Sequence, residues 1–499
     1  MKLTPEEMGA LLERAREAQR IWAETPCRRR AAILRGAGAR LAAGADALTE
    51  TIHRDNGKLP LDALAAEILP ALLAAAYYVK RGRAFLKPRK IRGGSPLMAN
   101  KQSRLIRKPW GVVGIIAPWN YPFAIPFSEV LMALLAGNAV LLKTASLTPR
   151  VGAALEEIFS GLALPPGLFT LVEMPGKDAG PAFIGTPEKP GVDKLFFTGS
   201  SATGRELMVL AAPRLLPLVL ELGGADAAIV RADANLDRAA AGVIWAGFSN
   251  AGQSCGGVQR VIVLRPVYEA FLEKLRRLTQ SLRPGVDLGP MATAKQKSAV
   301  RAQVENCLAQ GARVAAQSPG ASLQDEGLAA PAMVLTGVRA GMPIMDEEVF
   351  GPVVAVIPAE TDEEALALAN ASPYGLTGSV WSRNRRRARA LAARINAGAV
   401  MVNDHLMSHG LAETPWGGFG ASGLGRTHGE MGFMEMVKTQ VIVDDILPGV
   451  RRDLFWQPYS DKVYAGIRAV ASLASGGLAG RIAALPRAMG AVLRYWSSR

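Results

Sequence analysis

The chain has 499 residues, of which 49% are hydrophobic and 20% are charged. This composition excludes an intrinsically disordered protein, and the length is sufficient for two or three domains that each bury a core. The formal net charge of +15 leaves nucleic acid or an anionic membrane as candidate partners, and other features must decide between them.

Cysteine use indicates a reducing compartment. The three cysteines, Cys27, Cys255 and Cys307, form no pair with the spacing of a zinc site or a disulfide framework, so we expect no metal centre. No apolar signal core precedes the first predicted helix, which favours a cytoplasmic over a secreted protein.

Predicted helices fill the N-terminal region, and strands then alternate with helices. From residue 4 to about residue 86, apolar residues recur at the three- and four-residue spacing that is typical of amphipathic helices. Short apolar strands and the helical segments between them follow at 111–116, 127–135, 139–142, 149–160, 195–197, 202–210 and 218–221. This alternation favours a parallel α/β sheet.

A second α/β region runs from about residue 224 to 417, with strands predicted near 261–263, 353–356 and 400–402. The final segment differs in character, because residues 451–499 contain eight basic and two acidic residues among apolar and aromatic ones. It carries +6 of the net charge, and no uncharged stretch within it is long enough to span a bilayer. We interpret it as a basic amphipathic helical tail.

Cys255 is the candidate nucleophile. It lies among small and polar residues, in the sequence Asn-Ala-Gly-Gln-Ser-Cys-Gly-Gly at 250–257. Such surroundings leave a thiol accessible and offer backbone N–H groups to an anion that forms beside it. Cys27 and Cys307 are interpreted as buried structural cysteines. Taken alone, Cys255 could also be a structural cysteine.

Three further positions could carry chemistry. Glu221 ends an apolar strand, where burial would raise the pKa of its carboxyl group and suit it to act as a general base. Asn120 follows a strand at the edge where open α/β sheets bind ligands, and its amide can donate to an oxyanion. The Phe-Thr-Gly-Ser segment at 197–200 weakly indicates a phosphate site at a helix start. Each also has a simpler interpretation. Glu221 could be a solvent-facing strand end, Asn120 a turn residue and 197–200 an ordinary turn.

Six motifs, taken in order, resemble those of NAD(P)-dependent aldehyde dehydrogenases, and the resemblance covers about residues 10–445. They are Ala-Pro-Trp-Asn (117–120), Lys-Thr-Ala-Ser (143–146), Phe-Thr-Gly-Ser (197–200), Glu-Leu-Gly-Gly (221–224), Gly-Gln-Ser-Cys (252–255) and Glu-Val-Phe-Gly-Pro (348–352). The resemblance implies an α/β fold with two Rossmann-like parallel-sheet domains, a small oligomerisation hairpin and a helical C-terminal tail. It places the NAD(P)-binding domain at 1–90 and 108–222, the catalytic domain at 223–429, the oligomerisation element at 91–107 and 430–447, and the tail at 448–499.

The resemblance also implies roles for individual residues. Cys255 would attack the aldehyde carbon, and Asn120 with the Cys255 backbone N–H would hold the oxyanion. Glu221 would activate the water that hydrolyses the resulting thioester, and its presence favours hydrolysis over transfer to coenzyme A. The cofactor contacts that the resemblance implies are Ile116, Trp119, Lys143, Ser146, Gly180, Phe197, Gly199, Ser200, Gly204, Leu222, Glu348 and Phe350.

Ser146 departs from a common pattern of the family. Many NAD-preferring relatives have a glutamate there, which binds both ribose hydroxyls and repels a 2′-phosphate. Without that charge, and with Lys143 nearby, we expect NADP to be accepted as well as NAD. Alternatively, Ser146 hydrogen-bonds the 2′-hydroxyl of NAD.

Gly420 and the pair His428-Gly429 resemble the branch that oxidises medium- and long-chain or aromatic aldehydes. Some members of that branch have C-terminal extensions near the substrate entrance or a membrane. We therefore expect such an aldehyde as substrate. The segment near 93–107 resembles the family's oligomerisation hairpin, which implies a homodimer or homotetramer, and we expect it to be cytoplasmic. The tail at 451–499 would lie on the anionic inner face of a membrane, or else pack on its own or a neighbouring subunit.

Two alternatives remain. An NADP-linked dehydrogenase of a small semialdehyde, such as succinic semialdehyde, would need a cation for the substrate carboxylate, which the sequence does not locate. A non-catalytic protein that binds nucleic acid or a membrane is disfavoured, because Cys255, Glu221 and Asn120 are all present. The sequence also lacks a nucleic-acid recognition motif, so we expect no nucleic-acid partner.

Overall fold

The structure is a computed structural model of the chain. It describes residues 5–93, 98, 100–448 and 456–475, and beyond these 477, 481–482, 484–486 and 488–490. The chain forms two compact units, one of residues 1–86 with 108–438 and the other of residues 87–107 with 439–499.

Strands alternate with helices along most of the described chain. The helices are α1 Pro5–Glu24, α2 Cys27–Ala43, α3 Ala45–Asn56, α4 Pro60–Ala63, α5 Leu69–Leu86, α6 Ala124–Ala136, α7 Pro149–Ser160, α8 Gly176–Ile184, α9 Ser201–Ala211, α10 Leu236–Phe248, α11 Tyr268–Ser281, α12 Ala294–Ala309, α13 Pro343–Asp346, α14 Asp362–Asn370, α15 Arg385–Ala392, α16 Met407–Gly410, α17 Gly429–Glu435 and α18 Asp461–Ser475. The strands are β1 Arg89–Ile91, β2 Lys101–Pro109, β3 Val112–Ile116, β4 Ala139–Lys143, β5 Phe169–Leu171, β6 Lys194–Thr198, β7 Leu218–Glu221, β8 Asp226–Val230, β9 Val258–Leu264, β10 Arg313–Gln317, β11 Met333–Thr336, β12 Val353–Ala359, β13 Tyr374–Gly375, β14 Thr377–Trp381, β15 Ala399–Val402, β16 Phe419–Gly420, β17 Gly423–Leu424 and β18 Val437–Asp445.

The first unit contains a six-stranded sheet in the order β17-β7-β6-β3-β4-β5. The strands from β7 to β5 are parallel, and β17 pairs with β7 in the antiparallel direction. Every residue of β3, β4, β6 and α6 is buried, which explains why these segments are almost entirely apolar in sequence. The carboxyl ends of the parallel strands form one edge, where ligands bind in folds of this class.

A seven-stranded sheet in the same unit has the order β10-β11-β12-β9-β8-β14-β15. Its neighbouring strands are parallel except for the antiparallel pair β10–β11. Its apolar side chains pack with those of α10, α11, α12, α14 and α15 in a second hydrophobic core. The predicted α/β fold with two parallel sheets is confirmed.

A π-helical turn, Leu64–Ile68, joins α4 and α5 into one helical stretch, Pro60–Leu86. By length and composition alone this stretch could cross a membrane, with a mean hydropathy of 1.4 in a window of which 39% is buried inside the protein. It contacts α2 and α6, and Tyr78 and Phe85 lie in the core of the first sheet. These contacts indicate a core helix of the first unit.

In the second unit β1, β2 and β18 form a three-stranded sheet, in which β1 and β2 are antiparallel. β18 is exposed along most of its length, including the apolar residues Val441, Ile442 and Val443. Farther along the chain, Ala469 of α18 packs with Ala484 and Ala488 in a small apolar cluster. Of the predicted tail, residues 449–455, 476, 478–480, 483, 487 and 491–499 lie outside the described residues.

Candidate active site

A cleft of about 850 Å³ opens at the carboxyl ends of the parallel strands of the first sheet. The fold brings together here almost all the residues that the sequence singled out, although they come from distant parts of the chain. Those that line the cleft are Ile116, Trp119, Asn120, Lys143, Ser146, Gly180, Phe197, Gly199, Ser200, Glu221, Leu222, Cys255, Glu348 and Phe350.

Gly204 alone, of the predicted cofactor contacts, does not line this cleft. It lies in α9, where a Cβ would come within 2.7 Å of the Leu222 side chain. The absence of a side chain at this position therefore lets α9 approach the end of β7 closely.

Cys255 also lines a second, smaller cavity of about 120 Å³, which we call the channel. The residues that line it are mainly apolar or aromatic: Asp62, Ala65, Ala66, Pro70, Tyr121, Trp245, Ser249, Ser254, Leu406, Met407, His409, Gly410 and Trp416. The thiol thus lies where the cleft and the channel meet. The sequence did not predict the channel, because its walls come from distant segments that share no local motif.

The segment before Cys255 has an unusual backbone conformation. Asn250, Ala251 and Gly252 have φ angles of 52°, 54° and 68°, in the left-handed region that residues with side chains rarely adopt. A hydrogen bond of 2.9 Å from Gln253 Nε2 to Asn250 O holds the turn. Backbone strain that the surrounding structure maintains in this way is concentrated at functional sites.

The environment of Cys255 keeps its sulfur protonated in the resting protein. Burial raises the pKa of this thiol, and the carboxyl groups of Glu348, Glu221 and Asp226 raise it further. A proton must therefore leave the thiol when the sulfur attacks a carbonyl carbon. Cys27, by contrast, lies in α2 and lines neither the cleft nor the channel.

Asn120 lies in the turn between β3 and α6 and is buried. Its side-chain Nδ2 donates to Gln253 O over 3.1 Å, and its backbone carbonyl accepts from Asn250 Nδ2 over 3.1 Å. These two hydrogen bonds tie the turn to the segment that precedes Cys255. They hold an amide donor close to the candidate nucleophile.

Glu221 ends β7 and is buried. Burial and the nearby Glu129 carboxyl raise the pKa of Glu221 well above its usual value. Glu129 lies in α6, and burial raises its own pKa to about 8. Arg426 and the Trp416 side chain act in the opposite direction and lower the pKa of Glu221. A buried carboxyl group with a raised pKa is suited to take a proton from water.

One end of the cleft is basic. Lys143 ends β4, and burial lowers the pKa of its ammonium group. Ser146 follows it in the lining, and Lys177 at the start of α8 adds a second amine. Gly176 is so close that a Cβ there would lie 3.8 Å from Lys143 Nζ. Lys177 belongs to none of the six motifs, so the sequence analysis did not predict it as a cofactor contact. The one sequence feature that could have indicated it is its position shortly after strand β5.

The start of α9 faces the cleft. Ser200 is the N-cap of this helix, and its hydroxyl accepts a hydrogen bond from Thr203 N over 3.2 Å. Gly199 precedes it, and a Cβ there would come within 2.5 Å of the Phe197 ring. Backbone N–H groups at a helix start carry a partial positive charge, which suits a phosphate group.

Phe350 also lines the cleft, in a left-handed backbone conformation with a φ of 51°. Its ring meets that of Trp119 edge-on, with the ring centroids 5.5 Å apart. Glu348 Oε1 accepts from Gly224 N over 3.2 Å, and burial raises the pKa of this carboxyl to about 7. This wall combines two aromatic rings with a carboxyl group that titrates near neutral pH.

His409 gives the channel an uncharged aromatic wall. Its ring packs against those of Trp416, His428 and Tyr121, with centroid distances of 4.8, 4.8 and 6.1 Å. Burial lowers the pKa of His409 to about 4, so the ring is neutral at physiological pH. A neutral aromatic wall favours contact with apolar groups.

Known proteins resemble this chain in both sequence and fold. The model described as "Aldehyde dehydrogenase family" matches residues 1–442. The chain belongs to the aldehyde dehydrogenase family. A 4,4'-diapolycopene aldehyde oxidase from Methylomonas sp is 38% identical over 427 residues, which cover 85% of this chain and 79% of that protein.

Two further relatives show the range of the family. A "Putative succinate-semialdehyde dehydrogenase NADP(+)" from Mycolicibacterium smegmatis is 36% identical over 450 residues, which cover 88% of this chain and 84% of that protein. The crystal structure of an E. coli NADP dependent enzyme has a TM-score of 0.84 and 30% identity, covering 89% of this chain and 91% of that chain.

Aldehyde dehydrogenases use NAD or NADP, and this protein is an NAD(P)-dependent member. The cleft fits such a cofactor, since Lys143 and Lys177 in its lining suit phosphate groups and Trp119 and Phe350 supply two aromatic rings. Among the residues that the structure describes, no group of His, Cys, Asp or Glu could hold a metal ion.

Proposed function

We propose that this aldehyde dehydrogenase oxidises medium- and long-chain or aromatic aldehydes to carboxylic acids through a thioester on Cys255. The observation that carries this proposal is the position of Cys255 at the junction of the cleft and the apolar channel. An aldehyde can reach the sulfur from the channel while NAD(P) is held in the cleft.

In the first half-reaction the Cys255 sulfur forms a bond to the carbonyl carbon as the thiol proton passes to water. The carbonyl oxygen becomes an oxyanion, and Asn120 Nδ2 and the Cys255 backbone N–H donate hydrogen bonds to it. NAD(P), when bound, supplies the acceptor for the hydride that leaves this carbon. The carbon then remains attached to sulfur as a thioester.

In the second half-reaction Glu221 takes a proton from water, and the water oxygen attacks the thioester carbon. The carbon–sulfur bond breaks, the carboxylic acid leaves and the sulfur takes up a proton. Burial raises the pKa of Glu221, so its carboxylate is a stronger base than an exposed one. This base supports hydrolysis, as opposed to transfer of the acyl group to coenzyme A.

We expect NADP to be accepted because the cleft lining contains Lys143, Ser146 and Lys177, and position 146 carries no carboxylate. Ser146→Glu should lower kcat/KM for NADP about 100-fold, since a carboxylate there repels the 2′-phosphate. Steady-state kinetics with both cofactors and one aldehyde measure this change. Ser160→Glu adds the same charge at the exposed end of α7 and is the control. A wild-type enzyme that turns over NAD but not NADP would refute the expectation.

The charges of the channel support an apolar substrate. Among its described lining residues the acidic one is Asp62, and none is Lys or Arg. Burial raises the pKa of Asp62, whose Oδ2 accepts from Asn250 N over 3.2 Å. The alternative substrate, succinic semialdehyde, is supported by similarity to the mycobacterial relative. Its carboxylate, however, would need a cation to bind.

Longer substrates would extend beyond the small channel onto exposed apolar side chains. Leu69, Leu73, Trp245 and Met407 are each about half exposed. Leu69 and Leu73 lie three and seven residues after Ala66, a lining residue, and so continue its helix face toward solvent. This surface supports substrates whose apolar chains exceed the length of the channel.

A panel of aldehydes tests the substrate class. We expect kcat/KM to rise about fourfold per methylene from acetaldehyde until the channel is filled, because each buried methylene contributes about 0.8 kcal/mol. Benzaldehyde should be a good substrate and succinic semialdehyde a poor one. Asp62→Asn should reduce the ratio of kcat/KM for hexanal to kcat/KM for succinic semialdehyde, because it removes the acidic group. The highest kcat/KM with succinic semialdehyde would instead support the alternative.

We further propose a cytoplasmic homodimer or homotetramer that uses the segments 91–107 and 430–447. The exposed apolar residues of β18, within the second of these segments, support this assembly because an exposed strand offers its backbone and side chains to a second copy. Light scattering during size exclusion gives the mass, and a monomer at micromolar concentration would refute the proposal.

The tail suits contact with anionic lipid. Tyr464, Ile482, Leu485 and Met489 are exposed apolar residues in a segment with eight basic and two acidic residues. The full-length protein should sediment with vesicles that contain phosphatidylserine and be released by high salt. Binding to neither these vesicles nor neutral ones would favour a tail that packs on protein.

A further inference from the structure

A buried ion pair between Lys58 and Glu67 lies behind the turn that carries Asn120. Both side chains are completely buried, with 0% of their surfaces exposed. Lys58 lies between α3 and α4, and Glu67 lies in the π-helical turn that joins α4 and α5. Burying two charges is unfavourable unless their remaining hydrogen-bonding groups are also paired. The other contacts of the pair therefore indicate what it holds.

Both partners direct their remaining hydrogen bonds to one short backbone segment. Lys58 Nζ donates to Asn120 O over 2.7 Å. Glu67 Oε2 accepts from Phe123 N over 2.8 Å and from Ala124 N over 3.2 Å, where α6 begins. The ion pair thus fixes both ends of the turn that follows β3.

Further contacts of the same loop support this turn. Asn56 Nδ2 donates to Trp119 O over 3.1 Å, and Asn56 Oδ1 in turn accepts from Lys58 N over 3.1 Å. The Lys58 ammonium lies 4.2 Å from the centroid of the Tyr121 ring. Trp119 lines the cleft and Tyr121 lines the channel, so the loop supports a wall of each cavity.

We propose that Lys58 and Glu67 are positioning residues for the oxyanion donor Asn120. The ion pair holds the turn so that Asn120 Nδ2 points to the carbonyl oxygen of an aldehyde attached to Cys255. Lys58 does not line either cavity and acts through the Asn120 backbone carbonyl. The inference rests on the proposed function. It adds that the position of Asn120, held by the ion pair, determines the rate of the first half-reaction.

A double-mutant cycle tests the inference. Lys58→Met/Glu67→Gln leaves no unpaired buried charge, and the glutamine retains an acceptor for Phe123 N and Ala124 N. We expect the first-turnover rate of NAD(P)H formation to fall about 100-fold, because a displacement of about 1 Å at a catalytic group has an effect of this size. In an Asn120→Ala background the same double substitution should change that rate less than twofold.

Controls separate positioning from folding. The variant must keep the wild-type affinity for NAD(P)H, measured by quenching of tryptophan fluorescence. Arg54→Met removes one partner of an exposed ion pair in α3 and should leave the rate unchanged. Lys58→Arg, which retains the charge and a donor, should restore part of the rate.

Two results would overturn the inference. One is a folded Lys58→Met/Glu67→Gln protein with a first-turnover rate within twofold of wild type. The other is an equal effect of the double substitution with and without the Asn120 amide, since the pair would then act independently of Asn120. Failure of the proposed function is distinguishable, because Cys255→Ala would then retain aldehyde oxidation.

Discussion

Replacement of Cys255 by alanine should abolish aldehyde oxidation. We expect kcat/KM to fall on the order of 10⁴-fold or more, because the sulfur forms the covalent bond on which both half-reactions depend. Cys255→Ser should be almost as inactive, since a hydroxyl in this buried site is a much weaker nucleophile than a thiolate. Spectrophotometric assay of NAD(P)H formation with decanal measures both losses.

The loss should be local to the chemistry. Cys255 variants should bind NAD(P)H with wild-type affinity, since the residues at the basic end of the cleft are unchanged. Cys27→Ala removes the thiol in α2 and should keep full activity, which makes it the matched control. Activity retained in Cys255→Ala would refute the mechanism.

Replacement of Glu221 by glutamine should stop the reaction after one turnover. The first half-reaction does not need this carboxylate, so one equivalent of NAD(P)H should form at close to the wild-type rate. Hydrolysis should then slow by about 10²–10⁴-fold, which is the usual contribution of a general base. Stopped-flow absorbance separates the burst from the steady state. A Glu221→Gln enzyme without a burst would show that Glu221 acts before the thioester forms.

The pH dependence of kcat should report the same group. Burial and Glu129 raise the pKa of Glu221, and only its deprotonated form accepts a proton from water. When hydrolysis limits kcat, we therefore expect kcat to rise with pH over a range well above the one in which an exposed glutamate titrates. An exposed glutamate would already be fully active below neutral pH. Glu129→Gln should lower the pKa seen in the profile, because it removes a neighbouring carboxyl.

Much of the fold was predictable because strands and helices leave local patterns. The buried strands β3 and β4 are short apolar runs, and Asn120 lies four residues after the first, while Lys143 ends the second. The sequence therefore predicts Asn120 at the ligand-binding edge of the sheet and Glu221 at a strand end, whereas the resemblance to the family predicts Lys143 as a cofactor contact. Gly199 was recognisable as part of a strand–turn–helix segment. Gly204, also predicted as a cofactor contact, lies against Leu222 and does not line the cleft.

The channel and its support could not be predicted. Tyr121, Trp245 and Trp416 come from three distant segments, and no local pattern distinguishes them from core aromatics. Lys58 and Glu67 resemble ordinary surface charges in sequence, because only the tertiary fold reveals that both are buried. Residues that act through the backbone of another segment leave no motif of their own.

The intact mass of Glu221→Gln after incubation with decanal and NADP tests the central claim most directly. The account predicts a mass increase of one decanoyl group per chain, located by digestion on the peptide that contains Cys255. Hydroxylamine should remove the group, because it cleaves thioesters. Full release of NADPH without an adduct on Cys255, or an adduct on Cys27 or Cys307 instead, would contradict it.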